Sequence, residues 1–314
     1  MFKIKFSIGY NHDKRMLKLI ESAKEFIDSF YFPIPIEFSG SGRVLEQKNS
    51  YKEEIKEIIK TCKNSKVKSL MLINATCDGK NTADKEYIKK LIDYLNTLKG
   101  LDGVIITNTI LIPEIKAKTN LEIHSSVNCY TKTVEQALDL KDMGVDVLTL
   151  DRDINRNLDL IKEIKEKTGL KIKLLLNEGC LRNCPFRNIH FNVISHNSDT
   201  NEFDKRACIT VLRKHPEKFF QIPFIRPEDL KHYKGIVDCF KLGTRTMSTA
   251  NILFVLEVYT NESYDGDLLF LLTGKGIFEC FSEIDNKLLG EDFFEKIKDD
   301  DYAKELVKKF DLIK

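Results

Sequence analysis

A chain of 314 residues with 42% hydrophobic and 31% charged side chains holds ample material for a folded core and needs neither disorder nor membrane insertion to explain it. Fifty basic against forty-eight acidic residues leave a formal charge of +2, which supplies no chain-wide attraction for nucleic acid, although a local basic patch stays open. No run approaches the ~20 apolar residues of a membrane span, and Met1 to Gly9 lacks the apolar centre of a signal peptide, so we expect a cytoplasmic protein whose eight cysteines are reduced or metal-bound rather than paired in disulfides.

From the N-terminus, strand-like apolar runs alternate with amphipathic helices, the pattern of an α/β fold with a parallel sheet. The expected strands are Lys3 to Ile8, Phe30 to Phe38, Val67 to Asn74, Leu101 to Thr107, Leu121 to His124, Val145 to Leu150, Leu170 to Leu176 and Val237 to Gly243. Between them Ile55, Ile58, Ile59 and Cys62 share a helix face, as do Ile88, Leu91, Ile92 and Leu95. A further helix starts at Thr131 or Thr133, buries Val134, Ala137 and Leu138 and stops at Gly144; another runs from Asn157 through Leu158, Ile161 and Ile164 to Gly169. About eight such units in some 250 residues predict a TIM-like (β/α)8 barrel, with an open doubly wound sheet as the alternative.

After the seventh strand the regularity breaks, because 177–221 is far longer than the usual two to six residues of a βα loop. We expect a helix from Phe203 to Leu212 inside this excursion. Ile252 to Val258 reads as the last barrel helix, and Phe293, Phe294 and Ile297 show helical spacing near the end. The expected organisation is a barrel over 1–260, with a cysteine-bearing region at 177–240 inserted after strand seven, and a short helical C-terminal appendage over 261–314.

Residues just past the carboxyl ends of barrel strands converge on one face, where catalysis normally sits. The strongest candidates there are His124 and Asp151 as proton carriers, and Arg43, Ser126, Asn177 and Arg245 as substrate contacts. Ser39-Gly40-Ser41-Gly42-Arg43 offers backbone N–H groups and a guanidinium to an anion, or is a flexible turn, and it matches no P-loop. Ser126 lies in no G-x-S-x-G context, and the chain has no H-E-x-x-H.

Four cysteines, Cys180, Cys184, Cys208 and Cys239, follow one another through the excursion and the last strand. Four thiolates suffice for a structural zinc or a 4Fe-4S cluster, and one C-x3-C with two isolated cysteines departs from the paired knuckles of zinc ribbons. The alternative is that a free cysteine is a small buried hydrophobe, the reading given to Cys62. Cys77 and Cys129 fall near the expected mouth and are rival ligands. Cys239 raises a geometric tension, because at the start of strand eight it lies roughly 13 Å from the strand end at Gly243.

Ile123-His124-Ser125-Ser126-Val127-Asn128, Leu150-Asp151-Arg152-Asp153-Ile154, Asn177-Glu178-Gly179-Cys180 and Asp238-Cys239-Phe240-Lys241-Leu242-Gly243-Thr244-Arg245 together resemble the collagenase-like peptidase family U-thirty-two. The chain is similar to the compact single-barrel branch, whose relatives include accessory proteins of oxygen-independent ubiquinone hydroxylation and proteins needed for RNA hydroxylation. The resemblance implies a 4Fe-4S cluster on Cys180, Cys184, Cys208 and Cys239. For some members it also implies hydroxylation without dioxygen, of an aromatic or RNA substrate and with a carboxylate-bearing oxygen donor, and a second barrel subunit; we expect Arg43 and Arg245 to be the clamps for such an anion. Peptide hydrolysis, and a noncatalytic cluster-bearing partner, are the alternative activities.

Overall fold

The computed structural model describes residues 4–43, 47–177, 179–196, 203, 206–272, 278 and 280–312. Eight strands pair in chain order, all parallel, and the first closes on the last. They are β1 (Phe6–Gly9), β2 (Ile27–Pro33), β3 (Lys68–Ile73), β4 (Gly103–Ile106), β5 (Glu122–Ser125), β6 (Val147–Thr149), β7 (Lys171–Leu175) and β8 (Cys239–Lys241). This is the expected TIM-like barrel. Each expected strand is present, Lys3 of the first lying outside the described residues. The second is displaced: it begins at Ile27 and ends at Pro33 instead of reaching Phe38. Pro35 has no N–H to continue the ladder, and the chain turns at once, Phe38 N–H donating to Pro35 O.

The outer helices follow their apolar stripes. In α1 (Arg15–Ala23) Met16, Leu17, Leu19 and Ile20 are buried; in α2 (Tyr51–Ser65) Ile55, Ile58, Ile59 and Cys62 face the barrel; and in α3 (Lys85–Thr97) Ile88, Leu91, Ile92 and Leu95 do so behind an Asp84 cap. Each such Ile or Leu is worth about 1.5–3 kcal/mol once fully buried. The short α4 (Leu111–Lys118) follows. Thr133, not Thr131, caps α5 (Val134–Met143), whose buried side chains are Ala137 and Leu140, with Leu138 only half-buried. Asn157 caps α6 (Leu158–Thr168).

Alternation along the strands sends Phe6, Ile8, Phe30 and Phe32 outward to these helices and turns their neighbours inward. The interior is uneven. Tyr31, Leu70, Leu72 and Ile105 form a small apolar cluster on one side, whereas Ser7, Ser29, His124, Lys173 and Cys239 are buried on the other. Barrel interiors are ordinarily filled by branched aliphatic side chains, so this polar half needs internal partners. Ser29 Oγ donates to Ser7 Oγ at 2.8 Å, and Lys173 Nζ lies 3.4 Å from Ser29 Oγ and 3.5 Å from His124 Nδ1.

The excursion after β7 contains α7 (Arg187–Ser195), α8 (Cys208–Lys214) and α9 (Glu217–Gln221). Of the helix expected over Phe203 to Leu212, 204–205 lie outside the described residues, and the regular helix starts at Cys208 because Ala207 before it has a non-helical backbone. After β8 come α10 (Thr249–Thr260), α11 (Phe293–Lys296) and α12 (Asp300–Lys309). The excursion and the C-terminal segment build a second apolar core together: Leu181, Cys208, Leu212, Phe219 and Phe220 pack with Phe281, Phe293 and Leu306. Phe219 presents edge contacts at 5.2–5.3 Å to Phe220, Phe278 and Phe281. The appendage therefore serves as the floor on which the cysteine region folds.

Candidate active site at the barrel mouth

At the carboxyl ends of the strands a recess of about 50 Å³ is lined by Arg43, Arg152, Lys241 and Arg245 together with Tyr31, Asn74, Asn128 and Phe191. By the ~10–15 Å³ that one water needs, it has room for a handful of waters or one small polar group. Two of the four cations, Arg152 and Lys241, are themselves buried.

Each cation is set by its local chain. Arg245 follows β8, and its Nη1 donates to Ser41 Oγ at 2.7 Å; Ser41 Oγ in turn donates to Asn74 Oδ1 at 3.0 Å. Burial pulls the Arg245 pKa down to about 10; Tyr31 opposes this and the charge of Arg43 adds to it. The side chain stays cationic at neutral pH. Arg43 bends back to donate to Gly42 O at 2.7 Å and lies 5.8 Å from the Phe191 ring centroid. Arg152 donates to Asn128 Oδ1 at 3.2 Å and lies 5.3 Å from the same ring. Lys241, the last residue of β8, places Nζ 4.3 Å from the Tyr31 ring centroid, and the Tyr31 hydroxyl donates to Leu242 O at 2.6 Å.

Phe191 roofs the recess because α7 is pinned at both ends. Near its C-terminal end Thr76 Oγ1 meets Asn192 Oδ1 at 2.7 Å and Thr76 N–H donates to Ser195 Oγ at 2.8 Å. Here Gly40 is required: a Cβ at that position would lie 1.9 Å from Ser195 O. At its N-terminus Arg187 donates to both oxygens of Asp153 at 2.7 and 2.8 Å and to Leu181 O at 2.7 Å. Burial alone would raise the Asp153 pKa, but Arg187 and Lys132 hold it well below the usual carboxylate range.

The expected site residues separate into two groups. Arg43 and Arg245 line the recess. The others support it or lie beneath it. Asn177 is fully buried; its Oδ1 accepts from Gly243 N–H at 2.7 Å, and its Nδ2 donates to Leu271 O at 3.0 Å, stapling β7, β8 and the C-terminal segment together. Ser126 accepts from Asn128 N–H, which orients the asparagine that holds Arg152. Asp151 is buried beside Arg187, 3.6 Å from its Nη1, with its carboxyl pushed up by burial first. The Gly42 N–H, expected to face an anion, donates to Asn74 instead.

His124 sits inside the barrel and not at its mouth, because β5 continues one residue past it. Its Nε2 is 3.5 Å from the Glu122 carboxylate, which also pairs with Lys68. Burial, then the charge of Lys173, holds the imidazole down to about 4 from an ordinary 6.5, against the upward pull of Glu122. Between those values the unfolded chain binds a proton that the folded chain does not, so this group subtracts stability as pH falls from 6.5 towards 4 and subtracts none above. His124→Gln should flatten the stability profile across that window by roughly 2–3 kcal/mol at its acid end, read from urea melts at pH 7 and pH 4.5. An unchanged slope would remove His124 as its source.

The cysteines divide as well. Cys184 shares hydrogen bonds with both Cys180 and Cys208, and Cys180 Sγ accepts from Arg187 Nε at 3.4 Å. Cys239 does not join them. It opens β8 opposite Lys173 with its thiol in the barrel interior near Asp28, pushed up to about 12 by burial. The expected four-thiolate set therefore fits a metal centre only in part, and among the described residues no three His, Cys, Asp or Glu side chains are arranged to hold a metal ion as they stand. The rivals do not complete it: the half-buried Cys129 thiol donates to Ile106 O at 3.3 Å, and Cys77 accepts from Gly79 N–H. Glu178, between Asn177 and the first thiol, lies outside the described residues.

Fold and recess define a TIM-like barrel protein with a roofed, cationic mouth. A solved structure described as the U32 peptidase Mk0906 shares the fold, with a TM-score of 0.55 at 17% identity over 78% of this chain and 94% of its own. Residues 18–180 match the model of Peptidase family U32. A Methanocaldococcus jannaschii protein named an uncharacterized protease is 33% identical over 287 residues, covering 89% of this chain and 85% of that one. The chain belongs to peptidase family U32. No helix among the described residues is long and apolar enough to cross a membrane.

Two participants were not evident from sequence. Lys241 reads as an ordinary solvated strand-end lysine, although its place two residues before Gly243 and four before Arg245 was a signal. Phe191 belongs to a helix whose buried face, Arg187, Phe191, Ile194 and Ser195, carries an arginine and no N-terminal cap.

Proposed function

We propose that this chain is an enzyme whose barrel mouth holds a small carboxylate- or phosphate-bearing substrate, and that its chemistry is a modification such as oxygen-independent hydroxylation rather than peptide hydrolysis. The observation that carries the reading is the convergence of Arg43, Arg152, Lys241 and Arg245 on one small roofed recess. Guanidiniums offer forked, charge-assisted hydrogen bonds to planar anions. A recess of this size accepts the anionic end of a small molecule more readily than an extended peptide.

An iron–sulfur cluster in this protein would supply one-electron redox chemistry, and Cys180, Cys184 and Cys208 are the thiols that would hold it, beside the α7 lid. Arg187 would stabilise their thiolate charge through its contact with Cys180. Cys239 would take no part.

Peptide hydrolysis is the second reading, favoured by the name of the Methanocaldococcus relative. Against it, none of the described residues lining the recess is a histidine, a carboxylate, a cysteine or a serine, so they do not form the serine–histidine, cysteine–histidine or paired-carboxylate arrangement of common hydrolases. Protein purified without air should contain iron and sulfide that Cys184→Ala removes and Cys239→Ala does not, and should leave a mixed fluorogenic peptide library uncut. Sustained peptide turnover abolished by one mouth substitution would overturn the proposal in favour of hydrolysis.

A further inference from the structure

We propose that the chain carries a second binding site, outside the barrel mouth and independent of it, for a phosphate monoester with a compact apolar body. The site is a cavity of about 470 Å³, within the ~300–1,000 Å³ of ordinary small-molecule sites. It lies between the first turn of α6, the residues after α9 and the C-terminal segment. The turn after β6 divides it from the recess: Arg152 lines the recess, whereas Asp153 and Arg156 line this cavity. Arg182, also in its lining, belongs to the loop between Cys180 and Cys184.

Arg156 is a cation without an anion. Its guanidinium lies 4.9 Å from the Phe224 ring centroid and 5.5 Å from that of Phe293. Nη1 donates to Phe220 O at 3.3 Å and Nη2 to Phe224 O at 2.9 Å, both neutral acceptors, and among the described residues no carboxylate pairs with it. Burial pulls its pKa down to about 10, the charges of Arg226 and Arg182 add to this, and Tyr233 and Asp229 oppose it. It stays charged at neutral pH, and a desolvated charge ordinarily has an anionic partner. Arg182 and Lys298 bring two further cations to the same cavity, both exposed, Lys298 pairing in solvent with Glu295 at 3.2 Å. Of the two carboxylates in the lining, Asp153 is taken up by Arg187 and Lys132, and Asp159 is exposed. Three cations against one uncommitted carboxylate suit a dianion. The first turn of α6, where Leu158 and Asp159 line the cavity, adds backbone N–H groups without intrahelical acceptors. Leu158, Pro223 and Ile297 supply an apolar wall, so an organic body gains burial that free phosphate does not. Inorganic phosphate is therefore expected to stay at the mouth.

The unsubstituted full-length protein should be titrated calorimetrically with 1-naphthyl phosphate in excess inorganic phosphate, which fills the mouth. The expected result is one saturable site that persists in Arg245→Met, is weakened at least tenfold in Arg156→Met and at least threefold in Arg182→Gln, and does not take 1-naphthol. Arg182 is exposed, so its variant reports even if Arg156→Met fails to fold. Loss of binding in inorganic phosphate or in Arg245→Met would put the probe at the mouth and overturn the proposal. Equal binding of 1-naphthol, affinity unchanged in Arg182→Gln and Arg156→Met, or no binding at all would overturn it too. None of these results bears on whether the recess itself holds phosphate, which is read from inorganic phosphate alone.

Discussion

Replacing Arg187 by methionine is expected to lower the unfolding free energy by about 3–5 kcal/mol, the cost of leaving a buried charge without its partner. Arg187 bonds both oxygens of Asp153 and also Leu181 O, and neither Arg187 nor Asp153 is appreciably exposed. Lys132 remains on Asp153 at 2.7 Å and moderates the loss. The effect has a defined pH sign. Asp153 has a folded-state pKa held below its ordinary 3.8, so its contribution is fully present above that value and disappears as pH falls through the folded one. Urea melts at pH 7 should show the full deficit, and melts near pH 3 a smaller one. Because Arg187 also fixes the N-terminus of α7, anion binding should weaken in a still-folded Arg187→Lys protein, whose single ammonium cannot reproduce the fork. A deficit below 1 kcal/mol would mean that the lid is held by its other end.

Arg245→Met is expected to weaken binding of inorganic phosphate by roughly ten- to a hundredfold, the loss of one hydrogen bond to a charged group at about 1.5–3 kcal/mol. Arg245 belongs to the lining itself and is held toward it by Ser41. Ser41→Ala, which removes only the oxygen that orients the guanidinium, should have a smaller effect, on the order of threefold, by the ~0.5–1.5 kcal/mol net value of such a bond. Calorimetric titration at low salt separates the two. Equal effects would mean that the loop built on Asn74, and not the charge of Arg245, governs the recess.

The barrel was legible because largely apolar strand runs and amphipathic helices alternate along the chain in about eight units. Depth was legible for Cys239, whose place at the start of strand eight already set it far from the mouth. It was harder to read for His124, because placing a strand residue at the mouth needs the strand end to within one position. At Ile27-Asp28-Ser29 the strand starts three residues before the obvious apolar run, since one of its inward side chains is a serine satisfied by Ser7. The order of cysteines along the chain could not show that the loop before α7 and the start of α8 bring Cys180, Cys184 and Cys208 together. Arg43 and Arg245 were found from their place after strands two and eight. Lys241 was not, because a lysine at a strand end is usually solvated, and only closure of the barrel beneath the α7 roof makes it a buried group.

Calorimetric titration of the unsubstituted protein with inorganic phosphate, at fixed ionic strength and with a small carboxylate as competitor, tests the central claim most directly. The account predicts saturable binding at one site, competed by the carboxylate and lost in Arg245→Met. Heat no different from that of added chloride, or binding that survives Arg245→Met and Arg152→Met unchanged, would contradict it.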